Sequence, residues 1–545
     1  MSENPKSVKP PAATGDGLSR RQLLAGAGSA GLLSAGATPA AIPLGGMAAR
    51  LSSKLTGPFS SLRDYVAAME ANGNVMRFAR VDQDAYEATA LMYQLVEAYG
   101  TYRAPLVVFE KVKINGRWIK GPIVANQMRH VEAETLLFGM QPVPDDDVAT
   151  WHRAREHFDR MLENNDGDYP QIAPLEIARE LAPCKEVTLS GDDIDVTRYP
   201  FMQNNPGDSG RFINTASVFT SDPKMGLNIG TYRCEIKGPQ HIAVGSGEGQ
   251  TGYTMLMAAR ARGEKTAPVT LIVGQEPMVW LVSGARIPNR IGSKPVDELA
   301  YAGGLRGSAI EVVKCDTNDF LVPATTEMVI EGTVSLESFE KNGPYGESPG
   351  YMGAAYESAF TMTVERITHR RDPWFSNDFT GVTGPLIEAP STALVVAGLK
   401  RLNPNVVNYR YMQSVNFISI NKQKPGEAAK LGRQLARLIP TMKIVVMVDG
   451  DIDLWKDSDR FMAVATRWQP TASEILENQQ GVPLEPSSPE RGMTSKIVID
   501  ATRQWPEEGG PAEYPAMSRD LLIQHDPDIF DRVAEKWGER IKRSC

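Results

Sequence analysis

Apolar residues recur at helical spacing through Leu62, Val66 and Met69 and predict an amphipathic helix begun at Ser61 and ended by Gly73. Val75 to Val81 then reads as a strand, Tyr86 to Tyr99 as a second helix, and Leu106 to Phe109 as a short buried strand. Val131 to Phe138 and Thr150 to Leu162 are expected to be helical, and the polar run Asn164 to Asp168 marks a boundary. From about Leu181 to Arg371 the pattern becomes strand-like. Ile213 to Phe219, Tyr232 to Ile236, Val269 to Val273, Glu311 to Lys314, Glu327 to Ile330 and Phe360 to Ile367 carry it, with Gly/Pro turns between most of them. One helix, Tyr253 to Arg262, interrupts these strands. Alternation returns with strand Phe417 to Ile420, helix Glu427 to Leu438 and strand Ile444 to Val448, which indicates βαβ units. The pattern is that of an α/β (α+β) protein without solenoid or propeller repeats.

The first 45 residues fit none of these periods. Ser19-Arg20-Arg21 with Leu23 and Leu24, an Ala/Gly/Leu run and small residues near Ala40 form a twin-arginine export pattern. The run is too short and glycine-rich to span a membrane. Its alternative is a tail that happens to contain two arginines. Export by the twin-arginine machinery implies a periplasmic protein, and a cytoplasmic one if the signal is not used. That route carries folded proteins, so a large cofactor would be inserted before export.

The remaining roughly 500 residues are too many for one core and predict two to four domains. A net charge of −8 argues against a nucleic-acid partner. Cys184, Cys234, Cys315 and Cys545 are scattered without metal-ligand spacing and read as structural thiols. None of the six histidines lies in an H-x-x-x-H pair, which argues against a histidine-rich metal site.

The chemistry concentrates between Asn228 and Glu347. N-I-G-T-Y-R (Asn228 to Arg233) opens the stretch. D-E-L-A-Y-A-G-G-L-R-G around Glu298 and V-P-A-T-T-E-M-V-I-E-G around Glu327 and Glu331 follow, and N-G-P-Y-G-E (Asn342 to Glu347) closes it. Gly343, Pro344 and Gly346 fit a tight turn that aims Glu347 inward. Taken singly, Arg233 reads equally as a strand residue paired with an acid, and Glu347 as a solvated turn carboxylate. Asp449, Asp451 and Asp453 lack the downstream glutamate of a calcium loop and read as a strand-end turn.

In collinear order these segments resemble the UbiD family of reversible decarboxylases that use prenylated FMN. The resemblance continues at I-S-I-N-K-Q-K-P-G-E-A (Ile418 to Ala428), V-D-G-D-I-D-L-W (Val448 to Trp455) and A-T-R-W-Q-P (Ala465 to Pro470). Beyond the twin-arginine segment, taken as a signal peptide over 1–45, it implies an N-terminal α/β domain over 50–175 and a split β-barrel holding the flavin over 176–375. A C-terminal α/β oligomerisation domain would cover 376–545. It also implies self-association as a dimer or hexamer, and a flavin prenyltransferase as cofactor supplier.

The substrate implied is a small aromatic or α,β-unsaturated carboxylic acid. Arg233 would hold its carboxylate and Glu347 would handle the proton. Where the family usually has an acid before G-P, this chain has Asn342, which can hydrogen-bond but not ionise. The family's divalent ion, typically manganese with potassium nearby, is bound by an Asn/His/Glu set. Asn228 and Glu298 match two of these ligands, but Gln250 stands near the usual histidine. His241 sits too early and is expected to be structural. Main-chain amides of Ile229, Gly230, Thr231 and Tyr232 are candidates for the cofactor phosphate, with Lys422 as a further partner or simply a solvated lysine. The two departures leave two alternatives open: a flavin-dependent oxidoreductase or isomerase, or a catalytically retired protein that binds flavin or aromatic acids. Specificity is expected from unlabelled pocket residues between Phe379 and Leu399.

Overall fold

The computed structural model describes residues 54–285, 297–384, 386–412 and 415–543, so the twin-arginine segment lies outside the described residues. The Ser61 hydroxyl accepts the Asp64 amide and starts α1 (Leu62–Ala71), whose apolar stripe is buried. β1 (Val75–Phe78), α2 (Glu87–Tyr99), β2 (Leu106–Ile114), β3 (Arg117–Ala125) and α3 (Asp147–Glu163) follow. Asp146 caps α3 by accepting from the Ala149 amide. β1 lies parallel to β2, and β2 pairs antiparallel with β3. The helix expected over Val131 to Phe138 contracts to Ala133–Leu136.

The central layer is a nine-stranded sheet. Its strands are β4 (Phe212–Ile213), β5 (Ser217–Asp222), β6 (Gly226–Thr231), β7 (Arg233–Gly238), β8 (His241–Gly245), β9 (Thr266–Val273), β10 (Met328–Asn342) and β13 (Tyr356–His369). Val187–Ser190 pairs on β13 as the ninth. The order β4-β7-β8-β13-β10-β9-β5-β6 is antiparallel throughout. Between β10 and β13 a small hairpin pairs β11 (Tyr345–Gly346) with β12 (Met352–Gly353).

Three helices interrupt this layer rather than the expected one: α4 (Thr251–Ala261), α5 (Pro277–Gly284) and α6 (Glu298–Arg306). Pro277 to Ser283 is buried on every side, so α5 has no polar face to betray its helical period. Two adjoining glycines thin the pattern of α6. Gly304 admits no Cβ, which would meet the Pro170 carbonyl at 1.7 Å.

After β13 the chain returns to the first layer, where β14 (Phe375–Asn377) runs parallel to β3. One core runs through both layers. It joins Tyr65, Leu106 and Phe158 of the first to Ile272, Trp280, Leu281 and Val329 of the second.

The last layer contains α7 (Ala389–Leu402), β15 (Val406–Met412), β16 (Val415–Ile420), α8 (Glu427–Leu438) and β17 (Ile444–Asp449). α9 (Asp457–Arg467), β18 (Glu474–Gln480) and β19 (Met493–Ala501) complete it, and α10 (Ser518–His525) and α11 (Ile529–Arg543) end the chain. β16, β17 and β19 are parallel, flanked by antiparallel edges β15 and β18. Among the described residues no helix is long and apolar enough to cross a membrane.

Candidate active site

Strand alternation puts Arg233 and Glu235 on one face of β7, while Cys234 points into the core. β10 ends at Asn342, opposite Tyr356 of β13. The chain then turns at Gly343, whose φ of 90° favours glycine, through a cis peptide to Pro344. β11 follows, and Glu347 comes directly after it. Glu347 is received by Gly353 of β12, where a Cβ would stand 2.6 Å from Glu347 Cγ.

Arg233 is the hub. Its Nε donates to Asn342 Oδ1 at 2.9 Å and its Nη1 to Glu347 Oε1. Its guanidinium carbon lies 4.7 Å from the Tyr356 ring centroid and 5.3 Å from that of Tyr345, a cation–π contact on each ring. Asn342 is fully buried, and its Nδ2 donates to the Ala243 carbonyl at 3.1 Å. That carbonyl explains the amide: an ionised carboxylate has no proton to offer it. Burial pushes the Glu347 carboxyl above its ordinary value, opposed by Arg233 and Arg491 and assisted by the Asp208 charge.

A second polar cluster forms around β6. Asn228, buried opposite Thr220, donates from Nδ2 to Thr220 Oγ1 at 3.1 Å and to the Tyr232 hydroxyl at 3.3 Å. The same hydroxyl accepts the Gly252 amide at 3.1 Å. A Cβ on Gly230 would stand 2.3 Å from that oxygen, and one on Gly252 2.9 Å, so both glycines are needed where the phenol lies. Glu298 opens α6, which Asp297 caps through the Leu299 and Ala300 amides. Its carboxyl accepts the Ile229 amide and is pushed up to about 8 by burial. Its Oε2 is buried without a partner.

An unpartnered buried carboxylate oxygen beside a buried asparagine is an oxygen-donor set that fits a hard divalent cation. Gln250 fits less well, because its Oε1 already accepts the Gly247 amide at 2.6 Å. Among the described residues no group of three or more His, Cys, Asp or Glu could hold a metal, so any ion here relies on amide oxygens as well.

The structure therefore joins Arg233, Asn342 and Glu347 in one cluster. It connects Asn228, Tyr232 and Glu298 in another through the segment Ile229 to Tyr232. Lys422 stands apart from both. Its buried ammonium, at the end of β16, donates to Thr502 Oγ1 at 3.1 Å and to Glu508 at 2.5 Å. The ammonium is thus ion-paired with Glu508 rather than solvated. His241 pairs with Glu340 at 2.8 Å, away from both clusters. Asp449 and Asp451 pair with Arg467 at the end of β17.

Sequence reasoning missed the rings of Tyr345 and Tyr356 and the carboxylates of Glu235 and Asp208. Only Glu235 carried a signal, its two-residue spacing from Arg233 on a strand.

A part-buried guanidinium held by a carboxyl and an amide between two phenol rings, borne on an antiparallel sheet, has the donor geometry that suits a carboxylate. Comparison with known proteins agrees. Residues 176–383 match the 3-octaprenyl-4-hydroxybenzoate carboxy-lyase Rift-related domain of the UbiD family, and residues 385–501 its C-terminal domain. A phenolic acid decarboxylase of Sedimentibacter hydroxybenzoicus is 29% identical over 508 residues, 89% of this chain and 98% of the relative. The open form of a vanillic acid decarboxylase of that organism superposes with a TM-score of 0.73 at 28% identity, covering 89% of this chain and 99% of the other. HmfF of Pelotomaculum thermopropionicum, a UbiD-class enzyme in complex with FMN, gives 0.69 at 26%, covering 84% and 97%. An evolved dimeric form of HmfF in complex with prFMN gives 0.67 at 25%, covering 84% and 97%. The chain belongs to the UbiD family, with that family's mixed α/β architecture. It is an enzyme of the carboxy-lyase class.

Proposed function

We propose that this enzyme catalyses non-oxidative, reversible decarboxylation of an aromatic or α,β-unsaturated acid, with phenolic acids the first candidates given the relatives named above. The observation that carries the reading is the Arg233–Asn342–Glu347 cluster. Decarboxylation leaves an electron pair on carbon, and no side chain of the cluster can accept it. Prenylated FMN, when bound, supplies that electron sink.

Arg233 receives the substrate carboxylate through its planar fork. An entering carboxylate competes with Glu347 for the same cation, and taking up a proton lets Glu347 yield. Glu347 then holds, beside the substrate, the proton that carbon needs once carbon dioxide leaves. Asn342 adds no negative charge, so Arg233 remains available to the substrate. Asn228 and Glu298 would hold a divalent ion against the cofactor phosphate, with the amides of Ile229 to Tyr232 around it. The twin-arginine pattern supports export of the loaded enzyme to the periplasm.

A flavin protein that releases no carbon dioxide is the second reading, favoured by the engagement of Gln250 with Gly247. To separate the two, the chain without residues 1–45 is co-expressed with a flavin prenyltransferase and offered a panel of aromatic acids. Carbon dioxide release and solvent deuterium incorporation that Glu347→Gln lowers about 10³-fold support the decarboxylase. Loaded protein with neither reaction on the whole panel supports the second reading.

A further inference from the structure

The turn carrying Glu347 is pinned from behind by two buried carboxylates that act differently. Glu235 Oε2 accepts the Gly343 amide at 3.0 Å, while its Oε1 takes Ser209 Oγ and the Lys237 ammonium, each at 2.8 Å. Asp208 Oδ1 accepts the Gly346 amide at 2.8 Å, the peptide just before Glu347. Its Oδ2 takes the amides of Asn204 at 3.1 Å and Asn205 at 2.9 Å. The Ser209 amide also donates to the Pro344 carbonyl at 2.9 Å. Gly346 is needed for this approach, since a Cβ there would stand 2.4 Å from Asn205 Nδ2.

The charge of Glu235 is answered at once by Lys237. Among the described residues no cation makes an ion pair with Asp208, which is 6% exposed. Burial raises the Asp208 carboxyl above its ordinary value, while the three main-chain amides and the Arg233 charge favour its ionised form.

We propose that Asp208 is a positioning residue that fixes the Glu347 turn and, through its negative charge, assists Glu347 in taking up the proton it carries to carbon. The proposal rests on the reading of Glu347 as proton donor. The charged and titratable groups facing Glu347 are Arg233 of β7, Arg491 of the connection between β18 and β19, Asp208, and Tyr356 of β13 behind Arg233. Both arginines favour the carboxylate; Asp208 alone among the charged groups favours the acid.

The acid form of Glu347 is the working form, so activity falls as pH rises through its titration. Removing the Asp208 charge moves that fall to lower pH.

The test compares wild-type holoenzyme with Asp208→Asn, which can still accept the Gly346 amide, and Asp208→Glu, which keeps the charge but shifts its position. The alkaline limb of kcat/KM should move down by about one pH unit in Asp208→Asn. It should stay in place in Asp208→Glu while kcat falls. A lower kcat with an unmoved limb in Asp208→Asn would reduce the residue to a structural pin.

A second readout does not need turnover. In holoenzyme labelled with 13C-carboxyl glutamate, the Glu347 resonance is assigned by its loss in Glu347→Gln. The proposal expects two inflections with pH in the wild type, its own and that of Asp208; a single inflection overturns it even if Asp208→Asn fails to fold. If no acid on the panel is turned over at any pH, the decarboxylase reading fails, while the carboxyl titration still decides the coupling.

Discussion

The two polar clusters lie on strands consecutive in the chain, β6 and β7, which stand near opposite ends of the sheet order, and they differ in how complete they are. Around Arg233 the fork, the Asn342 amide and the supporting carboxylates of Glu235 and Asp208 have partners within the chain. Around Asn228 a carboxylate oxygen of Glu298 is buried with none. The first cluster is a pre-organised instrument whose shape needs no ligand. The second is costly as it stands, because burial leaves one Glu298 carboxyl oxygen without a partner and pushes the group up to about 8. It becomes favourable once a cation arrives. The first cluster is thus complete within the chain, whereas the second leaves a carboxyl oxygen without a partner.

After Glu347→Gln, the largest effect should come from Arg233→Lys, which exchanges a rigid fork for a point charge. Turnover should fall about 10²-fold or more with the fold intact by circular dichroism. Retained kcat/KM would show that the first cluster does not depend on the fork.

Asn342→Asp should rank next. It places a second anion against Arg233 and sets a carboxylate oxygen against the Ala243 carbonyl in place of the amide's donated proton. Loss of about 10- to 100-fold in kcat/KM, with a lower melting temperature, is expected from one broken buried hydrogen bond and a buried charge. A gain in activity would mean that the family's usual acid is compatible with this backbone.

Glu298→Gln probes the other cluster. Divalent-metal content by mass spectrometry and cofactor retention through dialysis should both fall, while the protein without cofactor loses no stability because no partnered charge is removed. Wild-type protein dialysed against EDTA should shed cofactor in the same way. Unchanged metal content in the variant would remove Glu298 from the ion site.

The smallest effect is expected from Gln250→His. Imidazole is the better ligand and should raise metal affinity by about tenfold. The gain is limited because the Gly247 amide loses its acceptor. Weaker metal binding would show that the turn held by Gln250 matters more than the ligand.

Much of this was legible in the chain. The N-G-P-Y-G-E run announced a glycine turn presenting a carboxyl, because the positive φ at Gly343 and the space Glu347 takes beside Gly353 restrict which residues fit. Helices such as Leu62–Ala71 and Glu427–Leu438 were readable because one face meets solvent and the other the core. α5 and α6 were not, since burial on all sides erases the period that distinguishes helix from strand. The partner of Lys422 was not legible either: its motif fixed a place in the sequence, but Glu508, 86 residues away, is its charge partner.

Sequence alone determined many of the strands, the helices with one solvent face and the glycine turns, because these follow from local backbone restrictions and short-range periodicity, while the collinear motifs and the family they resemble pointed to the residues at the centre. Only the tertiary structure decided which charges meet. Asp208 stands 138 positions before Gly346 and carries no motif, and its role appears only when the sheet brings that loop behind the Glu347 turn. Electrostatic coupling depends on distance in space and on burial, and neither can be read from separation along the chain.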